Sequence, residues 1–229
     1  MECSAVITQI VPETTDTKTF RLMPEQPLPF LPGQFIMVTA EIDGKPVTRA
    51  FSISSSPLLR HIDITIKAEI NGNFSKFANN NFKIGDKLRV KGPYGNFTLT
   101  DESQDELLFV AAGSGISPFR SMLQYIFEKQ PEKIITLLLS NKTEADIIFK
   151  QELEQYAQKF TKFKFIPIIT RDSGWNGRAM RIDSGLLRNY LRANTQCYLC
   201  GPPMMVEDLK QQIMQLGVDE KHIKTEKYG

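Results

Sequence analysis

The sequence predicts two domains: an N-terminal antiparallel β-barrel over residues 1–101 and a C-terminal α/β domain with a parallel sheet over residues 102–229. Three observations predict this. Up to about Leu99 the apolar residues fall in short β-rich runs punctuated by Gly and Pro, the spacing of a barrel or sandwich. The polar, acidic stretch Asp101-Glu102-Ser103-Gln104-Asp105-Glu106 then reads as a linker. Beyond it, strand-like and helical runs alternate, which implies parallel strands with helices on both faces.

In the first domain the expected strands are Ala5-Val6-Ile7-Thr8, Thr19-Phe20-Arg21-Leu22, Phe35-Ile36-Met37-Val38, Val47 to Ile53, Ile62 to Ile66 and Leu88 to Val90. Pro32-Gly33 and Asp43-Gly44 supply turns, since Pro presets φ and Gly accepts positive φ. A short helix is expected around Phe74 to Asn79, and Lys91-Gly92-Pro93-Tyr94-Gly95 reads as a tight structural turn. In the second domain, strand Leu107 to Ala111 precedes helix Phe119 to Glu128, and Ile134 to Leu139 precedes Phe149 to Phe160. Phe163 to Ile169 then precedes Gly185 to Leu191, and Tyr198 to Cys200 precedes Met204 to Leu216. In the last helix Met205, Leu209, Ile213 and Leu216 share one stripe, which reads as core.

Composition narrows the function. With 28 basic and 26 acidic residues well interspersed and a net charge of +2, nothing suggests a nucleic-acid stripe or a polybasic membrane anchor. No apolar run approaches the roughly 20 residues of a membrane helix, and Met1-Glu2-Cys3-Ser4 begins no leader, so a cytoplasmic protein is expected. Cys197 and Cys200 form a lone Cys-x-x-Cys, but on a strand residues three apart point to opposite faces. Three cysteines cannot supply the four ligands of an iron–sulfur cluster, so a single-electron partner is expected to be a separate molecule. His61 and His222 belong to no metal-ligand cluster, and no metal is expected.

Four motifs carry the chemistry. Phe109-Val110-Ala111-Ala112 is apolar enough for a central strand, and Gly113-Ser114-Gly115-Ile116-Ser117-Pro118 follows it. Those glycines let the backbone turn and approach a pyrophosphate at the next helix's N-terminus, and Pro118 suits a first helical turn. Cys200-Gly201-Pro202-Pro203 occupies the same carboxyl edge, where a glycine and stiff prolines suit a flat ring against backbone or, equally, a plain strand-to-helix turn. In the first domain Arg49 can grip phosphate bidentately, Phe51 offers a ring face and Ser52 a small hydroxyl, although an exposed Arg on an alternating strand is common. Gly72-Asn73-Phe74-Ser75 is a glycine turn into a helix N-terminus, a phosphate seat or a simple cap.

Taken together, these residues identify a resemblance. From Ala5 to Gly229 the chain resembles the ferredoxin-NADP reductase superfamily, whose members pair a flavin-binding barrel with a nicotinamide-binding α/β domain. Arg49-Ala50-Phe51-Ser52 is similar to the family's Arg-x-Tyr/Phe-Ser motif. The resemblance implies that Arg49 holds the flavin pyrophosphate, Phe51 stacks on the isoalloxazine and Ser52 approaches flavin N5. It implies further that Gly72 to Ser75 forms the second phosphate-binding segment of FAD members, with Lys67 also among the cofactor contacts. Gly113, Ser114, Gly115, Ser117 and Pro118 would form the nicotinamide pyrophosphate loop, and Cys200, Gly201 and Pro202 the wall near nicotinamide C4. Glu226-Lys227-Tyr228-Gly229 resembles a Glu-x-aromatic ending that sets an acid near the reacting rings and an aromatic by the flavin. Ser52, Cys200 and Glu226 are then the expected catalytic residues.

Thr170-Arg171-Asp172 stands where NADPH-using relatives carry Ser-Arg. Asp172 would repel a 2′-phosphate, however, and Trp175-Asn176-Gly177-Arg178 is similar to a segment of NADH-using branches, so NADPH or NADH stays open. The expected enzyme passes electrons from bound FAD to a separate acceptor such as ferredoxin, flavodoxin or an oxygenase component. Lys67, Lys76, Lys91 and Arg120 are candidate docking cations. A reductase of diffusible flavin and a non-catalytic nucleotide-binding or sensor module are the alternatives.

Overall fold

A computed structural model describes residues 1–99, 105–172, 174–177, 180–192 and 194–228. Asp101–Gln104, with the expected 101/102 boundary, and also Arg178 and Gly229, lie outside the described residues. The chain forms two compact units. One is Met1–Thr100 with Ser117–Tyr125; the other is Asp101–Ile116 with Ile126–Gly229.

The first unit is built on six strands, β1 (Glu2–Thr14), β2 (Thr17–Pro24), β3 (Phe35–Ile42), β4 (Lys45–Ser52), β5 (Ile62–Lys67) and β6 (Lys87–Tyr94). They run antiparallel in the order β4-β3-β6-β1-β2-β5. Asp43 and Gly44, at φ 51° and 70°, make the two-residue β3–β4 turn, whose positive dihedrals match the strands' right-handed twist. Alternate residues Ile36, Val38 and Ala40 of β3, with Phe20 and Leu22 of β2 and Ile64 of β5, are buried in one core. Helix α1 (Asn73–Asn81) adds Phe74 and Ala78 to that core, and the Phe74 ring meets Phe82 edge-on.

Lys91–Gly95 is not a free turn, as the sequence suggested, because β6 continues through Tyr94. Phe35 pairs with Tyr94 and Met37 with Lys91, so Gly92 and Pro93 together face Ile36 in a bulge. Gly92, at φ 153°, passes so close that a Cβ would stand 3.0 Å from the Ile36 side chain.

The sheet's two edges barely close. Among the described residues, the end of β4 meets β5 through the isolated bridge Ile53–Ile64, just past Ser52, beside which the Ser54 N–H donates to the Asp63 carbonyl at 2.8 Å. Among the described residues no ladder joins Arg49–Ser52 to Ile66–Lys67. The barrel is therefore an antiparallel sheet with a seam left open beside the flavin-like motif.

The second unit contains β7 (Glu106–Ala112), β8 (Ile134–Asn141), β9 (Phe163–Ile169), β10 (Gln196–Gly201) and β11 (Ile223–Lys227), all parallel in the order β11-β10-β7-β8-β9. Its helices are α2 (Ser117–Lys129), shared with the first unit, α3 (Lys150–Lys159), α4 (Ser184–Leu187) and α5 (Pro203–Gln215). Leu186, Leu187, Val206, Leu209 and Ile213 pack with Leu108, Val110, Cys197 and Leu199 on one face. Elsewhere in this unit Phe127 stacks on Phe160 at 4.0 Å and meets Phe163 edge-on. The α5 stripe centres on Val206, Leu209 and Ile213, with Met205 and Leu216 half-buried at its margins.

Two elements differ from expectation. The helix expected over Gly185–Leu191 stops at Leu187, because Asn189 and Tyr190 donate to the carbonyls of Leu186 and Leu187, i→i+3 bonds that tighten the chain into turns. Strand β11, Ile-Lys-Thr-Glu-Lys, was not anticipated at all: it carries one apolar residue and no alternation for a hydrophobic pattern to reveal. Among the described residues, no helix is long and apolar enough to cross a membrane.

Candidate functional site

In the first unit the candidate residues gather around the open seam. Arg49 is exposed, with Nη1 donating to the Thr48 carbonyl at 2.8 Å, a local bond that leaves most of its fork free for an anion. Phe51 is half-buried, its ring tilted against Phe74 at 5.4 Å, so one side belongs to the core. Ala50 is exposed, and Ser52 is half-buried opposite Phe35. Across the seam Lys67 lies 3.3 Å from Asp16. Burial pushes the Asp16 carboxyl up, but the Thr14 and Thr17 hydroxyls and Lys67 outweigh it and hold that carboxyl below its ordinary value. Lys67 is therefore an engaged cation rather than a free docking charge.

Helix α1 starts at Asn73 with no side-chain cap at Gly72 and no acidic residue in its first turn. Its leading amides are suited to an anion. A Cβ at Gly72 would fall 2.2 Å from the Ser75 hydroxyl, which would have to rotate away. Ser75 itself accepts from the Glu69 N–H at 3.1 Å and so helps close the turn. Phe74, expected among the cofactor contacts, is 2% exposed and gives its ring to the core, so only its backbone remains for a ligand. Asn73 is exposed. Unpaired strand edges, a half-buried aromatic wall, an exposed Arg and an uncapped helix start fit a flat, hydrogen-bonding ring that carries a pyrophosphate.

Behind this motif lies a charge cluster. Asp63, 2% exposed, has one carboxylate oxygen 3.0 Å from Arg21 Nε and the other 3.2 Å from Arg120 Nη1. Arg120 was a docking candidate on the sequence alone, but its side chain is 13% exposed and its Nη1 also donates to the Ser54 carbonyl at 3.0 Å. His61 Nε2 sits 3.7 Å from Asp63, too far for a hydrogen bond, and among the described residues that buried nitrogen has no hydrogen-bond partner. Burial lowers the His61 pKa; Asp63 pulls it up, and Arg21 and Arg120 push it down, leaving it below 6.5. The folded state thus favours neutral His61, a contribution present above its unfolded pKa and lost as pH falls from 6.5 through the lowered folded value. Thermal melts should show the advantage of the wild type over His61→Gln shrinking as pH is taken from about 7.5 to about 5; a constant difference would contradict this.

In the second unit the candidates meet at the carboxyl ends of β7 and β10. The chain leaves Ala112 through Gly113, at φ 50°, into a 3₁₀ turn, Gly113–Ile116, that runs directly into α2. Pro118 occupies the first turn of α2, where its missing N–H loses nothing. That helix also begins without a side-chain cap at Ile116 or an acid in its first turn. Ser114 is half-buried and Ser117 is buried. Gly115 lies so close to β10 that a Cβ would sit 2.5 Å from the Cys200 carbonyl oxygen and 3.0 Å from the Tyr228 ring. At Gly201 a Cβ would clash only with the terminal methyl of the flexible Met205 side chain, at 2.5 Å, and Pro202 is the exposed residue that leads into α5.

Cys200 and Glu226 are register partners on β10 and β11, with Sγ 3.9 Å from Oε2. Burial pushes the Cys200 thiol well up, and the Glu226 charge and hydrogen bond add to the effect. Cys200 is a neutral wall, not a nucleophile. Burial likewise pushes Cys197 up to about 12, among the α5 core residues on the other face. Tyr228 donates its N–H to the Gly201 carbonyl at 3.3 Å and its hydroxyl to the Ala112 carbonyl. Its ring thus lies beside Gly113 and Gly115, so the tail is ordered by this turn. At the end of β9, Thr170 donates to the Asn141 carbonyl, Arg171 is exposed, and Asp172 accepts from the Gly174 N–H.

Two family models divide the chain: the oxidoreductase FAD-binding domain matches residues 4–99 and the oxidoreductase NAD-binding domain residues 109–211. NADH-cytochrome b5 reductase 1 of Laccaria bicolor is 33% identical over 217 residues, 91% of this chain and 70% of the relative. The chain belongs to the ferredoxin-NADP reductase superfamily. As a superfamily member it pairs an FAD-binding domain with a NAD-binding domain. The glycine betaine monooxygenase reductase subunit of Chromohalobacter salexigens is 32% identical over 232 residues, 96% of this chain; the chain spans 62% of that relative's length. The superfamily fold is shared with the flavohem-like FAD/NAD-binding domain of nitric oxide dioxygenase from Vibrio cholerae, at a TM-score of 0.90 and 24% identity, covering 99% of this chain and 98% of that one.

Proposed function

We propose that this chain is an NAD(P)H-dependent flavoprotein reductase that takes hydride from NADH or NADPH and hands electrons to a separate acceptor, such as ferredoxin, flavodoxin or an oxygenase component. One observation carries the proposal: the chain presents two glycine turns, at Gly72 and at Gly113–Gly115, each running into a helix that lacks both a side-chain cap and an acid in its first turn. Two such anion seats in one chain suit two dinucleotides. The monooxygenase reductase relative supports an oxygenase as acceptor. Three free cysteines accord with a cytoplasmic setting.

Bound FAD supplies the capacity to take two electrons as hydride and to release them singly. The chain supplies position and electrostatics. Arg49 and the α1 amides at Asn73 to Ser75 hold the flavin's pyrophosphate, Phe51 walls its ring, and Ser52 offers a hydroxyl to N5. Lys67 flanks the seam, where Asp16 keeps it oriented. The turn Gly113 to Ser117 and the α2 amides hold the nicotinamide dinucleotide's phosphates. Cys200 and Gly201 wall the nicotinamide, and Glu226 orients Cys200 and serves as a proton partner. Arg171 is the residue available for a 2′-phosphate, opposed by Asp172.

The test is an anaerobic spectrum of the purified protein before and after each reduced nicotinamide. The expected protein is yellow and bleaches within the mixing time. A colourless protein that reduces added flavin with saturation kinetics would make flavin a diffusing substrate. Bound flavin that stays oxidised with both nicotinamides would leave a nucleotide-binding module without this activity.

A further inference from the structure

Ladder pairing between β3 and β4 ends at Ser52, and the chain then dives inward through Ile53 to Ser56. Ser54 and Ser56 are 0% and 3% exposed, so their backbone groups need partners inside the protein. Helix α2 provides two. Arg120 Nη1 donates to the Ser54 carbonyl at 3.0 Å, and Gln124 Oε1 accepts from the Ser56 N–H at 2.9 Å. The two side chains are four residues apart, hence one above the other on a single helix face. Asp63 receives the same Arg120 nitrogen at 3.2 Å and fixes the guanidinium, while Arg21 holds the other carboxylate oxygen.

We propose that Arg120 and Gln124 are positioning residues for the flavin motif: they clamp the backbone just beyond Ser52, so that its hydroxyl is held between the Phe35 pairing on one side and the Ser54 carbonyl on the other. The inference rests on the reading of Ser52 as the group beside flavin N5. Ser117, where α2 begins, is only three residues before Arg120, so the helix that seats the nicotinamide phosphates also carries the clamp. Lysine should replace Arg120 only in part, because Nη1 is aimed at the Ser54 carbonyl and the Asp63 carboxylate by a planar, weakly hydrated guanidinium, whereas an ammonium is a strongly hydrated point charge on a flexible stem.

The experiment compares wild type, Arg120→Met and Arg120→Lys for flavin content, flavin absorption spectrum, midpoint potential, and kcat and KM for the reduced nicotinamide. Arg120→Met should retain flavin but show a shifted absorption band and potential. Its kcat should fall roughly ten- to a hundredfold, as for a small displacement of a reacting group, with KM little changed. Arg120→Lys should recover part of each. Arg21 remains beside Asp63 in these variants, which favours folding. Should Arg120→Met not fold, Gln124→Leu removes only the Ser56 contact and should move the same readouts in the same direction by less. A folded variant with wild-type spectrum, potential and kcat overturns the clamp, as does a fall in thermal stability alone. If the wild type binds no flavin, the reading of the site has failed; if the wild type bleaches normally and the variants match it, only the clamp has.

Discussion

Replacing Asp63 with alanine is expected to destabilise the protein by about 3 kcal/mol, the lower end of the range for breaking a buried ion pair from one side. The carboxylate is 2% exposed and is shared by Arg21 and Arg120. Without it, Arg120, at 13% exposure, keeps its charge in a place water barely reaches, whereas Arg21, at 34%, rehydrates. That asymmetry sets the estimate near the bottom of the range. For a chain of this size the loss corresponds to roughly 6–12 °C in Tm. Urea melts check it: the midpoint should fall at unchanged slope. Arg21→Ala, which leaves Arg120 to pair with Asp63, should cost much less, since a partly exposed pair is worth at most about 1 kcal/mol. Should Asp63→Ala prove neutral, the cluster would contribute nothing net, and the clamp argued from it would lose its anchor.

What the sequence revealed and what it hid have separate physical causes. Strands β2, β3, β7 and β9 announce themselves by apolar runs bounded by Gly, Pro or charged residues, and the Asp43-Gly44 turn by dihedrals that few other residues tolerate. Gly113 to Pro118 is legible for the same reason, because glycines and a proline at a strand end carry their geometry with them. Strand β11 is hidden, as its place is fixed by register against Cys197–Gly201 rather than by its own hydrophobicity. The Asp63–Arg120 contact joins residues 57 apart in sequence, and no local spacing signals it. Reading Arg120 as a surface cation followed from base expectation for Arg; its burial depends on a carboxylate that only the fold brings near. Phe74 misled in the opposite sense, since its neighbours form a plausible phosphate turn while its own ring faces the core. Motif membership locates a backbone segment, and side-chain direction must come from packing.

Gly115→Ala carries the largest expected effect on the nicotinamide side. The added Cβ would lie 2.5 Å from the Cys200 carbonyl oxygen and 2.9 Å from its carbon, main-chain atoms of a strand paired on both sides, so β10 cannot yield. The Tyr228 ring, 3.0 Å away, can swing aside, but only by giving up its bond to the Ala112 carbonyl. The 3₁₀ turn must therefore move outward, and the first amides of α2 move with it. Overpacking of this kind costs about 1–3 kcal/mol. The functional loss should be larger: KM for the reduced nicotinamide is expected to rise roughly tenfold or more, from misaligned amide donors alone. Flavin content should stay at the wild-type value, because the atoms nearest the new Cβ belong to Cys200 and Tyr228 and none to Arg49, Phe51 or α1. Gly44→Ala separates strain from site geometry. No atom would touch its Cβ, yet φ is 70°, so it should lose about 1 kcal/mol of stability with KM unchanged. Steady-state kinetics on the two variants decide the matter: a Gly115→Ala enzyme with wild-type KM would mean that the dinucleotide's phosphates do not sit on this turn.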